Sequence, residues 1–84
     1  MIRIKIGAAV AGDLQSRMPD DLPLDKVTQP GVVSLTVDDA RALLADATFN
    51  SDPSCVDVGP YAMPRSTFNA YRRLRDSLRV ALSA

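Results

Sequence analysis

Ile2, Ile4 and Ile6 alternate with Arg3 and Lys5 at the start of the chain. A period of two puts the isoleucines on one face and the cations on the other, the pattern of a half-buried strand. Val10, Leu14 and Met18 then recur at steps of four, which places them on one face of a short helix over residues 8–18. Ala8 and Val10 also continue the strand alternation, so an extended continuation is the alternative. Gly12 weakens either form by up to about 1 kcal/mol. Pro19, Pro23 and Pro30 bracket a loop that holds Asp20, Asp21 and Asp25. Gln29-Pro30-Gly31 is a turn signal, and the β-branched, apolar run from Val32 to Leu35 predicts a short strand.

Thr36-Val37-Asp38-Asp39 predicts a helix start. The Thr36 hydroxyl can accept from the backbone N–H of Asp39, and two carboxylates in the first turn suit the helix dipole. Asp39 stands at the capping-box position, where Glu or Gln would reach back better. Val37, Ala40, Leu43, Leu44 and Ala47 then share one face, and the helix is expected to end near Phe49, with Asn50 as its C-terminal residue. Ser51 to Ser54 is a turn, and Cys55 to Val58 is either a short edge strand or an extended loop. Pro64 suits a first helical turn. Phe68, Tyr71, Leu74, Leu78 and Leu82 follow at steps of three and four, one apolar stripe along a long last helix.

These elements predict one small α+β domain over residues 1–84. A two- or three-stranded sheet packs with two amphipathic helices and the short N-terminal helix. Leu43, Leu44, Leu74 and Leu78 are expected to share its core. So small a sheet leaves an edge unpaired, and that edge or an exposed apolar stripe makes a homodimer an expected partner.

Composition removes several kinds of chemistry. The chain has no His, no Trp and no Glu, and all ten acids are Asp. The commonest general base near neutral pH and the commonest metal ligand are therefore missing. A single cysteine, Cys55, allows neither an internal disulfide nor a cysteine-rich zinc site. It reads as a small residue in a reducing compartment, since no neighbouring His or Lys activates it. Asp20, Asp21 and Asp25 lack calcium-loop spacing, and Asp38 and Asp39 point about 100° apart on a helix. No nucleophile elbow or glycine-rich phosphate loop is present. The expectation is a protein without catalytic residues, cofactor or metal.

Met1 to Gly12 imitates a signal peptide, with Arg3 and Lys5 ahead of small residues. Its apolar part, Ile6 to Ala11, falls short of the usual h-region, and no run approaches the ~20 apolar residues of a membrane span. A cytoplasmic protein that does not enter a membrane is expected.

The zero net charge conceals an asymmetry. Residues 1–59 carry five basic and nine acidic side chains, whereas residues 60–84 carry five arginines and only Asp76. Arg65, Arg72 and Arg79 are seven apart, so they line one edge of the last helix, with Arg75 at the border of its apolar stripe. Guanidinium groups so arranged suit phosphates or a row of carboxylates. The plainer alternative is a solvated flank in which Arg72 or Arg73 pairs with Asp76. Tyr61, between Gly59 and Pro64, could anchor a partner or cap the core.

The stretch Ser34-Leu35-Thr36-Val37-Asp38-Asp39-Ala40-Arg41-Ala42-Leu43-Leu44-Ala45-Asp46-Ala47, with Phe49-Asn50-Ser51-Asp52-Pro53 and Ala70-Tyr71-Arg72-Arg73-Leu74, resembles small accessory proteins of phages and prophages, anti-CRISPR proteins among them. It covers about half of the chain and carries over no functional residue. The resemblance implies a non-enzymatic protein-binding module, an inhibitor that occludes a host defence complex in the host cytoplasm. The candidate partner-binding residues are Arg65, Arg72, Arg75, Arg79 and Tyr61. The alternatives are a nucleic-acid-binding regulator that uses the last helix, or a homo-oligomeric phage structural component.

Overall fold

The computed structural model describes residues 1–59 and 62–83. The chain runs β1 (Ile2–Ile6), α1 (Ala8–Arg17), α2 (Leu24–Val27), β2 (Gly31–Leu35), α3 (Val37–Asn50) and α4 (Arg65–Ser83). β1 and β2 form a two-stranded antiparallel sheet in which Ile2 pairs with Leu35, Ile4 with Val33 and Ile6 with Gly31. The alternation of β1 works as the sequence predicts. Ile4 and Ile6 are buried, while Arg3 and Lys5 are exposed on the outer face. On β2, Leu35 is buried and Val32 is 60 % exposed.

Helices cover the inner face of this sheet, giving the small α+β fold the pattern predicts. Ile4, Ile6 and Leu35 join Val10 and Leu14 of α1, Ala40, Leu43 and Ala47 of α3, and Tyr71, Leu74 and Leu78 of α4 in one core. Leu44 and Leu82 are half-buried at its margin. α3 and α4 form the most extensive helix–helix contact. Thr36 caps α3 as expected: its Oγ1 accepts from the Asp39 N–H at 3.1 Å. α3 ends at Asn50, whose Nδ2 donates to the Asp46 carbonyl at 2.8 Å.

Several expectations are corrected. Residues 8–17 are helical, so the strand alternative fails there, but Met18 does not lie on the buried face with Val10 and Leu14. It is the C-cap, at φ 50° and 65 % exposed. A left-handed residue at a helix end lets its N–H bond back, here to the Leu14 carbonyl at 2.9 Å. The proline-bracketed loop contains a single turn of helix, α2, which buries Val27 and half-buries Leu24. Its apolar positions are too few to show a period. Val37, assigned to the core face of α3, is exposed because it is the first residue of the helix and lies beyond the sheet. Cys55 to Val58 forms no strand. Cys55 and Val56 donate to the Asp52 carbonyl in a turn, and Val58 makes only an isolated bridge to Met63. Asp52 organises this turn by accepting from both the N–H and the hydroxyl of Ser54. Those two bonds hold its carboxyl below the usual range.

Candidate functional site

The last helix has two chemically different sides. Its inner side buries Phe68, Tyr71, Leu74 and Leu78, the stripe expected from the sequence. Tyr71 is fully buried, yet its hydroxyl is not stranded. It donates to Asp13 Oδ2 at 2.5 Å and accepts from Arg17 at 2.9 Å. Arg17 also donates through Nε to Asp13 at 2.8 Å and through both terminal nitrogens to Asp46, at 3.2 and 3.0 Å. Its guanidinium carbon lies 5.9 Å from the centre of the Tyr71 ring. This cluster joins α1, α3 and α4.

The electrostatics follow from that geometry. Burial alone would lower the pKa of Arg17, but its hydrogen bonds with Asp46, Asp13 and Tyr71 outweigh it, and the guanidinium is held more firmly protonated than usual. Burial, together with the bond donated to Asp13, pushes the Tyr71 phenol above its ordinary value. Both groups are locked in one protonation state near neutral pH, which suits a tether and not proton transfer. The sequence reading missed Arg17 in this role. Asp13 four residues earlier was a local signal for the first ion pair, but Asp46 and Tyr71 lie 29 and 54 residues away.

The outer side of α4 is different. Arg65, Arg72, Arg73 and Arg79 are all exposed, and none has an ion-pair partner among the described residues. Arg65, Arg72 and Arg79 stand two helical turns apart and form a row about 21 Å long. Arg75 does not belong to the row. It is half-buried, with Nε and a terminal nitrogen each 3.0 Å from Asp76 Oδ1, and it donates to Ser51 Oγ at 3.3 Å. It therefore ties α4 to the end of α3. Asp76 pairs with Arg75 rather than with Arg72 or Arg73, so the expected flank pairing is not made. Tyr61 lies outside the described residues.

The cationic surface extends beyond α4. Lys5, Gly7, Arg73 and Ser77 line a groove of about 330 Å³ where β1 and α1 meet the last helix. Asn69, Arg72, Arg73 and Asp76 line a shallower depression of about 230 Å³ beside it. Arg73 lines both and thus links the row to the Lys5 end of β1. Among the described residues no three His, Cys, Asp or Glu side chains are grouped closely enough to hold a metal ion. No helix among them is long and apolar enough to cross a membrane.

Compared with known proteins, the chain matches no family model, no curated protein and no solved structure.

Proposed function

We propose that this chain is a non-enzymatic binding module that docks an acidic protein partner on the outer side of α4. The observation that carries this reading is the row of exposed arginines without ion-pair partners among the described residues, continued by Arg73 to Lys5. Unpaired guanidinium groups keep their donor capacity for a partner's carboxylates, which they can bind in pairs. A rigid helix fixes their spacing before binding, which lowers the ordering cost. A cytoplasmic inhibitor that occludes a host defence complex is the specific form of this reading that the phage-like segments suggest. Self-association, the other partner expected from the sequence, would use the open sheet edge or an exposed apolar stripe and not the arginine row.

The test is a paired capture from host extract, with the wild-type chain and with Arg72→Asp/Arg79→Asp as baits. The reading expects an acidic protein on the wild-type bait, lost from the reversed bait and weakened by salt. Retention of the same protein by the reversed bait would place the docking surface elsewhere. Capture of nucleic acid, with affinity falling steeply as salt rises, would favour the phosphate-binding alternative.

A further inference from the structure

β2 has β1 on one side, and among the described residues no strand pairs with its other edge. Among the described residues no backbone or side-chain hydrogen bond reaches Gly31–Leu35 from outside the β1 pairing. Every second N–H and C=O along the outer edge is therefore open to another strand. Folded proteins usually guard such an edge with charge, a bulge or a covering element. β1 follows that rule, since it carries Arg3 and Lys5 and packs against α4. β2 does not: its sequence is GVVSL. Beside it runs an open groove of about 380 Å³, with Val32, Val33 and Ser34 on one wall and Asp25 and Lys26 on the other.

We propose that this edge pairs with β2 of a second copy of the chain, antiparallel and two-fold symmetric about Val33. The result is a continuous four-stranded sheet with both sets of helices on the same face. The strand is self-complementary in that register. Gly31 meets the second copy's Leu35, Val32 meets its Ser34, and Val33 meets its Val33, so no charge opposes a like charge. On the inner face the Val33 pair extends the row that begins with Ile4 and Val33. On the outer face the exposed Val32 gains a diagonal contact with its symmetry mate. Beyond the strand ends, Pro30 comes opposite the second copy's Thr36. That brings Lys26 alongside the first turn of the second copy's α3, where Asp38 and Asp39 stand. Symmetry repeats this charge match at the other end, and Asp25 beside Lys26 offsets part of it.

The interface is small. Five paired residues cover well under the ~800 Å² per partner of a standard stable complex. The dimer is therefore weak and exchanges rapidly, with a dissociation constant on the order of 10–1,000 μM.

Light scattering and sedimentation from about 10 μM to about 1 mM span that range. The expected mass rises with concentration from one chain to two. Val32→Lys, a substitution at an exposed position, weakens association about tenfold with an unchanged circular dichroism spectrum. Lys26→Asp and Asp38→Lys each weaken it about fivefold, and the combined swap restores it to within about twofold. A monomer at 1 mM overturns the proposal. So does a dimer indifferent to Val32→Lys, which would use another surface, and so does a swap that fails to restore binding. None of these positions lies on the arginine row, so this proposal and the docking proposal fail independently.

Discussion

The two sides of α4 put the same side-chain chemistry to opposite ends. Toward the core, Arg17 meets the Tyr71 ring and hydroxyl, and four of its five N–H donors are taken up by Asp13, Asp46 and Tyr71. Toward solvent, Arg65, Arg72, Arg73 and Arg79 have no ion-pair partner among the described residues. A guanidinium enclosed by acceptors from three helices holds those helices in register. One left to water contributes little to the fold and retains its donors for something else. Arg75 lies between these extremes: it is half-buried, shares Asp76 and touches Ser51. Placement relative to the apolar stripe, and not residue type, separates an internal tether from a docking group.

The strongest test of this contrast is on the buried side. Leu78 is fully buried among residues of the core. Leu78→Ala is expected to destabilise the fold by about 2–5 kcal/mol, a large share of what so small a domain possesses. Urea denaturation measures it. An unchanged midpoint would mean that the inner side of α4 does not hold the core together.

Next in size is the tether. Arg17→Met keeps much of the aliphatic bulk but removes both side-chain donors to Asp46 and leaves Asp13 with only the Tyr71 hydroxyl as its side-chain donor. The side chain of Arg17 is about a third exposed, at 36 %, so water recovers part of the loss. The expected cost is about 1–2 kcal/mol. Tyr71→Phe removes only the hydroxyl and is expected to cost about 1 kcal/mol. A double-mutant cycle between these positions should show coupling, since they share partners. Strict additivity would show that the cluster does not act as a unit.

How much of this contrast the sequence revealed follows from the range of the forces involved. Periodicity placed the strand at Ile2–Ile6, the cap at Thr36 and the stripe from Phe68 to Leu78, because each depends on neighbours within a turn or a pleat. It placed the arginine row for the same reason. It could not place Arg17, whose partners Asp46 and Tyr71 come from other helices. It mistook Met18 for a core residue because helical phase says nothing of where a helix stops, and here the left-handed cap turns the side chain outward. It missed α2 because one turn of helix is too short for a period. Val58 pairs with Met63 by a single bridge rather than a strand, and β-branched residues at 56 and 58 alone do not distinguish the two.

Alkaline titration sharpens the comparison further. Below the ordinary phenol value of 10.0, Tyr71 is protonated in both folded and unfolded chains, and its contribution to stability is fully present. Above it, the unfolded chain releases the phenol proton while the folded chain retains it, so the unfolded state gains and stability falls with rising pH. The slope is at most about 1.4 kcal/mol per pH unit for one proton. Arg17 adds nothing in this window, because its guanidinium stays charged in both states. Thermal unfolding between pH 9 and pH 11 should show the fall in the wild type, and Tyr71→Phe should flatten it. An equal slope in the Phe variant would assign the titration to another group.

The smallest expected effect is on the outer side, and it completes the contrast. Arg72→Gln/Arg79→Gln removes two guanidinium groups that have no ion-pair partner among the described residues. Gln is nearly as good a helix former as Arg, so propensity changes little. Arg79 lies four residues before the end of the described helix, and a cation there interacts with the helix dipole by roughly 0.3–1 kcal/mol. Arg72 stands near the helix middle, where the dipole is felt least. Removing a cation also relieves repulsion within the row, which opposes the dipole loss. The net change in stability is expected to stay within about 0.5 kcal/mol, measured by the same urea denaturation as Leu78→Ala and Arg17→Met. A loss approaching that of Arg17→Met would show that these arginines support the fold. A change within the expected range would leave their charge available for a partner.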